Sequence, residues 1–297
     1  MVLYFQVEEK YHKKRLDEFI FDKFPFLSRI YLKKLIRDGK CQVNGQVENR
    51  GYILRKNDFL EVEIDYKENL LTRPEPIDLQ IIHENQDFLI VNKPSGMLVH
   101  PTLNVHSGTL LNGLAYYLNK DSNNSFIRPG LVHRLDKETS GLMIVAKNKK
   151  AHQILSRAFE RRIIEKKYFA LVEGIIKSEE GIIEAPIGKY EDLKQWNIKP
   201  DGKIATTIFR TKQILHDKTL LELEPLTGRT NQLRIHLAYF GHPIVGDEKY
   251  GGRKFKRLCL HAYKLAFSYE KNHFNFQTPI PEDFEIEAQM QYANRTF

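Results

Sequence analysis

Cysteine is scarce. The chain of 297 residues has two, Cys41 and Cys259, and no CxxC pair. That argues against a disulfide framework or a cysteine-built zinc site and fits a reducing compartment. No apolar run approaches the roughly 18 residues that a membrane span needs. The opening stretch "MVLYFQVEEKYHKKRLDEF" mixes charges early and lacks the apolar centre of a signal peptide. No cluster of His, Cys, Asp and Glu has metal-ligand spacing, and no internal repeat is visible. A soluble, cytoplasmic protein with no metal site and no membrane partner is expected.

What is present is a basic chain with enough apolar residues for a core. Hydrophobic residues make up 41% and the formal net charge is +8, which points to an acidic partner such as nucleic acid. The length suits about two domains.

Residues 12–64 read as a small unit. "RLDEFIFDKF" has helical apolar spacing. Ser28 is placed to cap "RIYLKKLIRDGK", with Gly39 as its stop. On that helix Leu32, Leu35 and Ile36 share one face. Arg29, Lys33, Arg37 and Lys40 share another. Such a row of cations is either a solvated face or a surface for the phosphates of structured RNA. "CQVNGQV" then carries an Asn44-Gly45 hairpin signal.

Residues 65–78, with two prolines, read as a linker. Residues 79–297 form a second unit. Its strands are expected at 79–82, 88–91, 142–146, 168–172, 205–210, 220–224 and 258–267. Its helices are expected at 109–118, 149–162 and 230–240, and "NKDSNNSF" reads as a loop. Strands outnumber helices without regular alternation. That predicts an α+β fold with a mixed, largely antiparallel sheet, preceded by the small α/β unit.

Four constellations could carry chemistry. The basic helix is the first. In "HRLDKETSG", Asp136 either caps the following turn or serves as a nucleophile, kept ionised by the nearby Arg134. In "LTGRTNQLRIHLAYFGHPIVGD", Arg229 and Arg234 flank a helix start and could clamp a phosphate or a carboxylate. His236 there is read as a satisfied core residue. In "EKKYFALVEG", Tyr168 either packs in the core or stacks on an unpaired base.

The segments "RPGLVHRLDKETSGLMIVAKN", "EKKYFALVEG" and "LTGRTNQLRIHLAYFGHPIVGD" resemble the three signature motifs of the RluA family of RNA pseudouridine synthases. "LIVNKPSGMLVHP" and "RLCLHAYKLAF" resemble its flanking segments. Residues 12–64 are similar to the S4-type RNA-binding module that precedes the catalytic domain in many members. The resemblance implies that Asp136 is the catalytic aspartate, Tyr168 the active-site tyrosine and Arg234 the partner of the aspartate. It also implies that Arg134 contacts RNA and helps fill the gap left by the target base, and that the catalytic domain has a central cleft.

One departure is Asn231, where the family usually has histidine. The isomerisation breaks the N1 glycosidic bond and rejoins uracil through C5, so it needs no cofactor. The base must first leave its stack. The expected partner is RNA, from the appended module large-subunit ribosomal RNA, with transfer RNA the alternative. The protein is expected to be a monomer.

A rival reading is a non-catalytic RNA-binding factor of ribosome assembly. Intact Asp136, Tyr168 and Arg234 speak against it. A glycosidase would want a second acid. Glu138 is nearest, but it is expected to point into the turn and to lack an arginine partner.

Overall fold

The computed structural model describes residues 2–24, 27, 29–64, 73–102, 104–120, 127–193 and 195–284, and the side chains of Arg29 and Ile30 fall outside that description. Ser28, and with it the expected cap, also lies outside, as does most of "NKDSNNSF". The chain divides into two compact units, residues 1–78 with 100–129 and residues 79–99 with 130–297.

In the first unit the elements are β1 (Val2–Gln6), α1 (Leu16–Lys23), α2 (Arg29–Arg37), β2 (Cys41–Val43), β3 (Gln46–Val47), β4 (Phe59–Glu63) and, later in the chain, α3 (Leu110–Tyr117). The strands form an antiparallel sheet in the order β1-β4-β2-β3. Leu32, Leu35 and Ile36 of α2 join Leu16, Phe19 and Ile20 of α1 and Leu60 and Val62 of β4 in one core. The helical spacing of these residues is therefore what buries α2. Asn44 and Gly45 both have positive φ, 52° and 77°, as a two-residue type I′ hairpin turn requires.

The second unit contains β5 (Gln80–Glu84), β6 (Phe88–Lys93), β7 (Gly130–Leu131), β8 (Ser140–Ala146), α4 (Lys149–Glu160), β9 (Glu165–Glu173), β10 (Glu180–Tyr190), β11 (Gln195–Ile198), β12 (Lys203–Ile214), β13 (Lys218–Pro225), α5 (Gln232–Tyr239), β14 (Leu260–Tyr269) and β15 (Asn272–Gln277). Among the described residues they make one sheet in the order β11-β10-β12-β13-β9-β14-β8-β6-β5, with β15 on β14 and β7 on β8. Only β8 and β14 run parallel, and their ladder pairs just Ser140 with His261 and Gly141 with Ala262. The mixed, largely antiparallel α+β architecture is as the sequence predicts.

β8 is buried along its whole length, which explains its continuous apolar run. The two larger cores among the described residues lie along the sheet. One gathers Leu171, Leu221, Leu223, Leu237 and Leu260. The other gathers Phe88, Ile144, Leu155 and Phe267. No helix among the described residues is long and apolar enough to cross a membrane.

Candidate active site

A cleft of about 1020 Å³ in the second unit is lined by Arg134, Asp136, Tyr168, Arg229 and Arg234. Residues from three separate motifs thus meet in one place. The described residues contain no group of three or more His, Cys, Asp and Glu that could hold a metal ion.

Asp136 sits on the loop between β7 and β8. The turn it opens is closed by its backbone carbonyl, which accepts from the Thr139 amide at 3.2 Å. Its carboxylate is not the capping group and is left for the cleft. The loop is held on three sides. The buried Lys93 ammonium donates to the carbonyls of Pro94, Met97 and Lys137 at 2.8, 2.9 and 3.1 Å. Burial, then the charge of Arg257, lowers its pKa to about 8. His133 Nε2 accepts from the Ile144 amide at 3.0 Å, and its ring stacks on Phe159. Burial, then Lys166, pushes its pKa down to about 3, so this histidine is a neutral anchor. Gly141 has φ +123°, and a Cβ there would lie 2.3 Å from the Ala262 carbonyl oxygen. Only glycine lets β8 approach β14 so closely.

Burial pushes the pKa of Asp136 up. Arg234 first, then Arg134, act against that rise, Glu138 adds to it, and Lys93 opposes it. Desolvation outweighs the cations, so the carboxyl titrates above the usual carboxylate range. Tyr168 lies on β9, and burial followed by the Asp136 charge raises its phenol pKa. Arg134 is exposed.

Arg234 is buried on α5, with 7% of its surface exposed. Its direct partner is Asp247, not Asp136. Nε and Nη2 each donate to the Asp247 carboxylate at 2.7 Å, and Nη1 lies 3.7 Å from Glu138 Oε2. The expected Asp136–Arg234 pair is therefore a through-space attraction. A short-range bond to Asp136 is displaced because Asp247 satisfies the arginine's fork. Glu138 likewise departs from expectation, since it does have an arginine partner.

Arg229 is half-buried and donates to the Ile204 carbonyl at 3.3 and 3.4 Å. Its loop is fixed by the buried Gln232, whose Oε1 accepts from Thr227 Oγ1 and from the Arg229 amide, while its amide nitrogen donates to the Thr206 carbonyl and to Thr207 Oγ1. His236 is a satisfied core residue, bonded to Thr207 at 3.0 Å. Asn231 has φ 53°, a left-handed conformation in which Asn and His are both enriched. Its amide donates to the Tyr250 hydroxyl at 3.1 Å.

The basic helix α2 belongs to the other unit. Lys33 and Arg37 are exposed. Arg37 bonds Asp38, and Lys40 bonds Glu63 from β4, each at 3.0 Å. The side chain of Arg29 lies outside the described residues. Lys40 is thus drawn toward the sheet by an acid distant in sequence. Sequence reasoning missed Lys93, Gln232 and Asp247. A lysine closing the apolar run "FLIVNK", and an aspartate after glycine in "VGD", were the available signals.

A family model for RNA pseudouridylate synthase matches residues 87–239, and one for the S4 domain matches residues 14–60. The uncharacterized RNA pseudouridine synthase YlyB of Bacillus subtilis is 40% identical over 93% of this chain and 93% of its own. The ribosomal large subunit pseudouridine synthase D of Pseudomonas aeruginosa is 36% identical over 91% and 90%. Among solved structures, human RNA Pseudouridylate Synthase Domain Containing 1 superposes with a TM-score of 0.57 at 29% identity, covering 69% of this chain and 84% of its own. With its motifs gathered in one cleft and relatives matched over nearly its full length, the chain belongs to the RluA-type RNA pseudouridine synthases, isomerases of uridine in RNA, and carries an N-terminal S4 domain.

Proposed function

We propose that the chain isomerises specific uridines of structured RNA, that the RNA is large-subunit ribosomal RNA, and that Asp136 is the catalytic carboxylate. The observation that carries the assignment of Asp136 is the free carboxylate itself. The turn is closed by a backbone carbonyl, and the side chain faces a cleft where Arg234 and Arg134 favour its charge. The similarity to the ribosomal large subunit pseudouridine synthase D of Pseudomonas supports the choice of RNA. Residues 12–64 supply affinity, and residues 79–297 supply the chemistry.

The reaction conserves atoms. The bond from C1′ to N1 breaks, the uracil turns, C1′ bonds to C5, and the proton lost from C5 is balanced by one gained at N1. Asp136 could attack the ribose, attack the ring or abstract a ribose proton, and each route starts from its ionised form. The Tyr168 ring walls the cleft against the flipped base. Arg134, at the surface, fills the gap in the RNA stack, and Arg229 meets backbone phosphate.

The test is Asp136→Asn. Pseudouridine mapping of RNA from cells with and without the protein first identifies the target. The Asn variant should then lose isomerisation on that RNA while keeping its Kd within a few-fold. Turnover by the variant would overturn the assignment. A target in transfer RNA would overturn the choice of substrate alone.

A further inference from the structure

The turn that ends α4 is built against local preference. Arg161 closes the helix in a right-handed conformation, and Arg162 follows with φ 58°. The Arg162 amide donates to the Phe159 carbonyl and the Ile163 amide to the Ala158 carbonyl, each at 3.1 Å. This is a Schellman closure, whose left-handed position normally takes glycine and sometimes asparagine. An arginine there holds a conformation that its Cβ disfavours, and strain of this kind gathers at functional sites.

Four residues on, Lys166 stands near the start of β9. It is half-buried and, like Arg162, lines the cleft. Its ammonium lies over the Phe159 ring, 5.7 Å from the centroid, and its charge reaches the neutral His133. Burial first, then the charge of Arg162, lowers its pKa. Among the described residues no carboxylate offsets the two cations. Glu165 bonds Lys264 at 2.7 Å, and Glu160, on the same rim, pairs with neither. Partly desolvated charge is normally paired, so the missing partner is an anion brought from outside. The charges that act most strongly on Asp136 are Arg234, Arg134, Glu138 and Lys93. Lys166 stands outside that set, which places its anion away from the reacting atoms.

We propose that Arg162 and Lys166 form a phosphate subsite on the rim of the cleft, gripping a phosphodiester of the RNA beside the target uridine. The inference rests on the reading that the cleft receives a uridine of RNA. Two cations on one rim fix where the strand runs, and so which nucleotide reaches Asp136.

The test uses the full chain and the RNA identified by pseudouridine mapping. Arg162→Gly suits the left-handed turn, and Lys166→Met removes an unpaired charge while keeping the bulk of the stem. Both variants should hold or raise the midpoint of urea unfolding. Each should weaken RNA binding about tenfold and flatten its salt dependence by about one unit of slope. A lower midpoint with an unchanged slope would assign both cations to the fold and overturn the proposal.

Phosphodiesters near the uridine are then replaced one at a time by neutral methylphosphonate. One linkage should cost the wild type about tenfold in Kd and the Lys166→Met variant almost nothing, because the contact is already lost. If every linkage costs both proteins alike, the cations meet no phosphate and the proposal fails. These measurements need no turnover, so they stand apart from the role of Asp136. Arg229→Met separates the subsite from the reading beneath it. Weaker binding by that variant, with none in the two rim variants, would sink the subsite alone. No effect in any of the three would mean that RNA does not enter the cleft, and both readings would fall.

Discussion

At the scale of single residues, the site balances one half-buried carboxylate lining the cleft against a buried arginine that is already paired. Arg234→Met shows how the two are linked. The substitution strands Asp247, which is almost fully buried, without its counter-charge. Breaking a buried pair by removing one partner costs about 3–5 kcal/mol, which urea unfolding at neutral pH should register. It also removes the strongest influence that favours ionised Asp136. The pKa of Asp136 should therefore rise further, and the acidic limb of the pH–rate profile should move up. Below that limb the carboxyl is protonated and the enzyme idle. Arg229→Met, at a half-buried position, should weaken RNA binding and leave the limb in place.

Elements were legible where their pattern was local. β8 was visible as an unbroken apolar run and β2–β3 as a hairpin from Asn44-Gly45. The helix expected at 149–162 is α4, and its cap is Asn148, whose side chain accepts from the Ala151 amide. β10 was missed because Pro186 and two glycines interrupt it, and a proline normally argues against an inner strand. β15, "NHFNFQ", was missed because four of its six residues are polar and its apolar residues are just two phenylalanines.

In the site, Asp136 and Tyr168 could be picked out by motif. The Arg234–Asp247 pair could not, because nothing in residue order says which of several acids will fold back onto α5. Gly141 illustrates the same limit. Its role depends on β14, far away in sequence. Gly141→Ala would need φ near +123° and would put Cβ against the Ala262 backbone. It should cost at least about 1–3 kcal/mol, lower the unfolding midpoint in urea, and reduce isomerisation by disturbing the Asp136 loop.

For the whole molecule, affinity and chemistry are assigned to different parts of the chain. If α2 meets phosphates, Lys33→Gln with Arg37→Gln in the full chain should flatten the salt dependence of RNA binding by about two units of slope. The single-turnover rate at saturating enzyme should stay the same. An unchanged slope would mark this face as merely solvated. Synthesis order sets a further condition. The strand that carries Gly141 must wait for β14, since Ser140 and its partner His261 are 121 residues apart. Long-range strand pairing is slow, because loop closure must precede any contact. A nascent chain emerging from the ribosome therefore has its HRLD segment long before it has an active centre. It should stay inert toward nearby RNA until β14 has been made and has paired with β8.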